Sequence, residues 1–299
     1  MNYKTALIII VQLCFFTSIN AQENFKLAGF GSVFYPQAEI KDNTQNSSIA
    51  IIEHAAFINI PFVLKNKKTI MINGLGYSWL EIDGENTPTV IDQGKQLHAI
   101  YYQMIIAHKI NEKWSLVANL KPTLATDFEE KLSFDDFVLQ GGILATRTMN
   151  KEFKLGGGLI STMRFGKPFA LPVLSLNYKK GKHSFEALLP IKSTYKYNID
   201  KNERLNIGLR QVINGGEFNI KSPNNNSIAS IDKIRYTRMN FGAAVDYNLT
   251  KMINLDFYAG VSARREYNLN DISDELYEFN IKEGLFVQLG ITLVPKRKK

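Results

Sequence analysis

Apolar and polar residues take turns along most of this chain, and the alternation is cleanest between residues 235 and 266. From Asn254, every second position gives Asn254, Asp256, Tyr258, Gly260, Ser262, Arg264 and Glu266, while Ile253, Leu255, Phe257, Ala259, Val261 and Ala263 lie between them. The preceding run repeats the pattern, with Arg238, Asn240, Gly242, Ala244 and Asp246 set against Met239, Phe241, Ala243, Val245 and Tyr247. A period of two belongs to strands, because successive side chains leave opposite faces of the pleat. Joined at Asn248-Leu249-Thr250-Lys251, the two runs predict an antiparallel hairpin. Each is longer than the usual strand of about 5 to 6 residues and nearer the roughly 9 to 11 that a tilted strand needs to cross a bilayer. Long strands with one continuous oily face point to a transmembrane β-barrel.

The same pattern predicts strands at 25–35, 49–64, 69–82, 96–109, 113–125, 137–150, 151–164, 170–178, 182–189, 192–199, 204–213 and 285–294. With the hairpin this makes about 14, an even number as single-chain bacterial barrels require. Residues 69–82 are ambiguous, since both of their faces are half apolar. Connections near 66, 111, 150, 180, 201 and 250 are short, whereas those near 42, 89, 131, 222 and 275 are long. Short periplasmic turns and longer outer loops have this asymmetry, which places both termini in the periplasm. The connections near 166 and 191 are short where long ones are expected. Residues 127–136 are acidic, with room for one helical turn. The polar stretch 214–232, containing Pro223-Asn224-Asn225-Asn226-Ser227, has the composition of an exposed, mobile loop.

Helical membrane spans are excluded, because no run of about 18 apolar residues occurs. Lys4, the apolar residues 6–16 and the polar residues 17–21 compose a secretory signal peptide over 1–21, leaving 22–299 as the barrel domain. The single cysteine, Cys14, falls inside that peptide. A mature chain would then have neither a disulfide nor a cysteine nucleophile. The formal charge of +8 is spread over basic clusters at 65–68, 179–182 and 296–299, all at predicted turns or the terminus. Solvated ends that meet anionic lipid head groups account for this distribution better than nucleic acid does.

The segments Phe185-Glu186-Ala187-Leu188-Leu189-Pro190 and Gly284-Leu285-Phe286-Val287-Gln288-Leu289-Gly290, together with the signal peptide and the unbroken alternation of the final strand, give the chain its family texture. It resembles the outer-membrane β-barrel proteins of Gram-negative bacteria, and among them an uncharacterised family, a domain of unknown function, common in Bacteroidota. The resemblance implies an all-β antiparallel barrel in the cell outer membrane, with outer-membrane lipids around it and the barrel assembly machinery as its partner during biogenesis. One departure is the ending. Such barrels usually finish on an aromatic residue, but this chain continues through Pro295-Lys296-Arg297-Lys298-Lys299, so either its assembly signal is internal, at Phe286 and Leu293, or its assembly route differs.

Candidate chemistry lies on the polar face. By parity Lys121, Arg164, Glu186, Arg210, Arg238, Asp246, Asp256, Arg264 and Glu266 point into the lumen, where charges must be hydrated or paired. Paired, for instance Arg238 with Glu266 or Arg264, they brace a filled interior; hydrated, they line a pore and set its selectivity. The function expected is a passive diffusion channel or a structural barrel, without cofactor or metal, since no two histidines stand at metal-ligand spacing. The alternative is a lipid-modifying acyl hydrolase using His98 and Ser78, which the alternation puts on neighbouring strands at a similar height. A soluble β-sandwich is the third possibility, and it would bury Phe241, Phe257 and Leu289 between two sheets.

Overall fold

The computed structural model describes residues 25–41, 46–87, 96–129, 131–200, 204–220, 231–271 and 276–295. The signal peptide expected over 1–21 and the terminal basic cluster lie outside the described residues. Alternating segments become strands β1 (Ala28–Glu39), β2 (Ser48–Val63), β3 (Thr69–Glu85), β4 (Gln96–Lys109), β5 (Trp114–Thr126), β6 (Phe137–Thr148), β7 (Phe153–Thr162) and β8 (Phe169–Lys180). They continue as β9 (His183–Leu189), β10 (Lys192–Asn198), β11 (Leu205–Asn219), β12 (Ile231–Asn248), β13 (Ile253–Asp271), β14 (Leu276–Ile281) and β15 (Gly284–Leu293). The acidic stretch supplies one 3-10 turn, Phe134–Asp136.

From β1 to β14 each strand pairs antiparallel with the next, and β1 closes the ring on β15. Both β14 and β15 pair with β13, the first beside Arg265 to Asn270 and the second beside Ile253 to Ser262, so they are two lengths of one stave broken at Lys282 and Glu283. The wall is therefore a closed antiparallel barrel of fourteen staves, as the alternation predicts.

Parity then decides what each face touches. Phe241 is 55% exposed, Phe257 41% and Leu289 60%, which contradicts burial between stacked sheets. Ile58, Leu75, Ile143, Leu159 and Leu209 are exposed in the same way around the ring. An apolar belt on every side far exceeds the patch a water-soluble monomer tolerates. Trp114, Tyr178 and Tyr247 edge the belt at the short-turn end, where amphipathic rings suit a membrane interface.

The interior is apolar too at the long-loop end, which explains why 69–82 defied assignment. In β3, Leu75 and Tyr77 face out while Leu80 and Ile82 face in, so neither face is polar there. Leu80 and Ile82 join Ile49, Ile51, Leu97 and Ala125 in a buried cluster. The other side of that cluster is not wall. It consists of Phe218, Ile220, Ile231 and Ile234, at the far ends of β11 and β12.

Strand lengths show how this hairpin gets inside. The wall is low at β9 and β10, each of 7 residues. Pairing of β10 with β11 stops at Lys192 and Val212, yet β11 runs on to Asn219 alongside β12. There Asn219 pairs with Thr126 of β5, from which β6 to β10 separate it around the ring. Only a hairpin bent inward across the mouth can make that contact. The short connections near 166 and 191 are thus the place where the hairpin crosses the lowered rim.

Side chains hold the bend. Asn219 Nδ2 donates to Asp136 Oδ1 at 2.6 Å, and Arg164 Nη1 donates to the Ile213 carbonyl at 2.8 Å and to Asn214 Oδ1 at 3.1 Å, satisfying an edge that β10 has left. At Gly215 a Cβ would lie 2.4 Å from the Arg164 carbonyl oxygen, so only glycine permits this approach. The exposed loop expected over 214–232 is corrected accordingly: 214–219 and 231–232 are strand, and 221–230 lie outside the described residues. Phe218, Ile220 and Ile231, scattered through a polar stretch, are too few to announce burial by themselves.

Candidate lumenal site

Below the apolar mouth the interior is charged. Register places Asp246 of β12 directly opposite Asp256 of β13, a like-charge pair that would be repulsive alone. Arg210 of β11 resolves it. Its Nη1 donates to Asp256 Oδ1 at 3.1 Å and its Nη2 to Asp256 Oδ2 at 2.7 Å, with Asp246 Oδ1 3.7 Å from Nη2. Lys196 of β10 holds the remaining Asp246 oxygen at 2.7 Å. Tyr258 donates to the Arg210 carbonyl at 3.0 Å, and its ring lies 4.9 Å from the guanidinium carbon. The chain Lys196, Asp246, Arg210, Asp256 is neutral and crosses four adjacent staves.

The other expected lumenal residues are dispersed. Lys121 lies with its Nζ 3.9 Å from the centre of the Tyr101 ring. Glu186 shares the inner row of Thr194 and Arg210 by register. Arg164 is part of the hairpin's anchorage. Arg238 is 2% exposed and makes its ion pair with Glu53 of β2, across the interior, rather than with Glu266 or Arg264.

Arg264 and Glu266 are corrected outright. Thr237 pairs with Glu266 and Met239 with Ala263, so Arg264 and Arg265 together oppose Arg238 in a β-bulge. The extra residue reverses parity above it: Arg265, Tyr267 and Leu269 turn inward, while Arg264 and Glu266 turn out and pair with each other at 2.9 Å. Arg264 occupies the left-handed region at φ 48°. That position favours glycine, and an arginine there gives the sequence no sign of a bulge.

The His98 and Ser78 pair is not formed. Trp79 is the cross-strand partner of His98, and Ser78 that of the buried Ala99, so the histidine faces out and the serine in. Each histidine instead meets a hydroxyl on a neighbouring strand through Nδ1: His54 with Ser32 at 2.7 Å, and His98 with Tyr77, His108 with Thr69 and His183 with Tyr195, all at 2.8 Å. Four repeats of one arrangement mark it as the way this wall satisfies polar groups among its apolar residues. Glu53, Tyr35, Lys196 and Arg265 escaped the sequence reading; the only signal for Glu53 was an acid inside an oily run.

Solved structures to which the chain is similar include the COG4313 outer membrane channel from Pseudomonas putida F1, at 8% identity over 93% of this chain and 99% of that one, with a TM-score of 0.46. The TodX monoaromatic hydrocarbon channel covers 91% and 90% at 8% identity and a TM-score of 0.43. Outer membrane phospholipase A from Escherichia coli covers 97% and 98% at 8% identity and a TM-score of 0.35. Among curated proteins none matches the chain. Residues 17–293 match a family profile described as a domain of unknown function (DUF6268), and the chain belongs to that family.

Proposed function

We propose that this protein is a narrow channel of the bacterial outer membrane, held closed by the inward-folded ends of β11 and β12, and that it has no catalytic role. The observation that carries the reading is what fills the lumen. Fourteen staves about 4.8 Å apart and tilted by about 40° give a backbone radius of about 14 Å, against about 8 Å for eight staves. Eight-strand interiors are filled by wall side chains alone; this one is wider, and a separate element occupies its mouth. A structural barrel needs no such girth. An element hinged at one end, and packed rather than built into the wall, suits a gate. Lipid around the apolar belt and the charged tier beneath the mouth complete the path for a hydrated solute.

The test is conductance in planar bilayers. Wild-type protein is expected to show rare, small openings, and a variant in which 215–236 is replaced by a tight turn a large steady current. A truncated barrel that inserts but carries no current would refute the channel.

A further inference from the structure

We propose that the interior holds a binding site for one small monovalent anion of halide size, between Arg238 and Arg265. Both guanidiniums are enclosed, at 2% and 3% exposure. Both approach one ring, with their central carbons 4.0 and 5.7 Å from the centre of Tyr35. Arginine keeps its charge in proteins, so the pair brings two positive charges into a closed space. Among the described residues the only ion pair made by either is that of Arg238 with Glu53. Two cations and one carboxylate leave one buried positive charge unmatched, which a folded interior does not tolerate without a counter-charge.

Most of the unused hydrogen-bond capacity around Tyr35 is donor capacity, Asn240 Oδ1 being an acceptor among it. Arg238 Nε, Arg265 Nε, Arg265 Nη2 and Tyr267 Oη are buried and without a hydrogen-bond partner, and all four can donate. Convergent donors around a net positive charge are what an anion requires. The bulge builds the site: Arg264, at φ 48°, holds the strained residue that turns Arg265 and Tyr267 inward, strain of the kind retained where function needs it. Gly284 leaves room for the guanidinium, since a Cβ there would lie 2.9 Å from Arg265 Nη1.

Size limits the occupant. As the side chains stand, the gaps lined by Tyr236, Arg238, Arg265 and Tyr267 admit no water-sized sphere, so an ion enters only where a side chain gives way. Among the described residues the Arg265 side chain makes one hydrogen bond, a long 3.4 Å contact with the Lys282 carbonyl, and a shift of that side chain admits an ion such as chloride but not a sugar acid. The site stands on this chemistry whether or not the barrel conducts.

The full barrel in detergent is melted in chloride and in gluconate at equal ionic strength. The melting midpoint is expected several degrees higher in chloride, the gain disappearing in Arg265→Gln, shrinking in Tyr267→Phe and persisting in Lys180→Gln, whose side chain is exposed at the short-turn end. Crystals grown in bromide should show an anomalous peak between the two guanidiniums. Equal midpoints in the two salts, a chloride gain undiminished in both Arg265→Gln and Tyr267→Phe, or bromide found only on the outer surface would each overturn the site.

Discussion

Arg210→Met tests the charged tier most severely, because it removes the cation that separates two facing carboxylates. Asp246 and Asp256 are direct cross-strand partners. At roughly 5 Å and an effective dielectric constant of about 20, their repulsion is about 3 kcal/mol. Removing one member of a buried pair typically costs about 3–5 kcal/mol, and the side chains of Arg210 and Asp256 are only 10% and 6% exposed. Lys196 still holds Asp246, so the lower half of that range is expected. Asp256→Asn should cost less, about 1–2 kcal/mol, since Arg210 keeps Asp246 within 3.7 Å and an amide oxygen still accepts one bond. Combined, the two substitutions remove the facing charges, and the double variant should be more stable than Arg210→Met alone. Urea unfolding in phospholipid vesicles, followed by the mobility shift of the folded barrel on gels, measures all three. The reasoning fails if Asp256→Asn is as damaging as Arg210→Met, or if it destabilises that variant further.

Three further outcomes follow from particular residues. Ile234→Asp places a charge in the apolar mouth, where Phe218, Ile220, Ile231 and Ile234 together contribute at most roughly 12 kcal/mol of burial; bilayer conductance should rise several-fold while the barrel stays folded. Arg264→Gly relieves the left-handed residue of the bulge and should raise stability by about 1 kcal/mol in vesicle unfolding, whereas Arg264→Val should lower it. At the rim, Lys41 holds Glu283 at 2.8 Å and depresses its carboxyl, while Glu39 holds Lys282 and raises its ammonium. The first pair forms above the ordinary carboxylate range and is lost as pH falls through the depressed value; the second is present below the ordinary lysine value and is lost as pH rises through the raised one. Exchange of the Lys282 amide, which donates to the Glu39 carbonyl, should therefore report a tether intact across neutral pH and loosened at both extremes, after correction for intrinsic rates. Equal protection in Glu283→Gln at acid pH and wild type at neutral pH would contradict it.

The wall was legible because one rule, oily outside and polar inside, governs most of its length. It failed where the inside is oily as well: β3 could not be assigned, and the packed ends of β11 and β12 read as a loop. The site was half legible. Arg210, Asp246 and Asp256 lie where alternation holds, and they meet. Beyond Ala263 one extra residue exchanges inside for outside, so Arg264 and Glu266 were placed in the lumen and Arg265 was overlooked. Glu53 was hidden for a different reason, since its partner is 185 positions along the chain and no local pattern joins them. Pairings across the ring follow from closure, which the sequence of one strand does not encode.

The most direct measurement of the gate uses Thr126→Cys with Asn219→Cys, residues that are partners where β11 meets β5. Their spacing suits a disulfide, and the one native cysteine, Cys14, lies outside the described barrel. Bilayer current is recorded from the oxidised protein and again after a reductant is added. The account predicts openings suppressed at least about tenfold while the disulfide locks the hairpin across the mouth, and restored on reduction. Equal currents before and after reduction would contradict it, as would silence in both states.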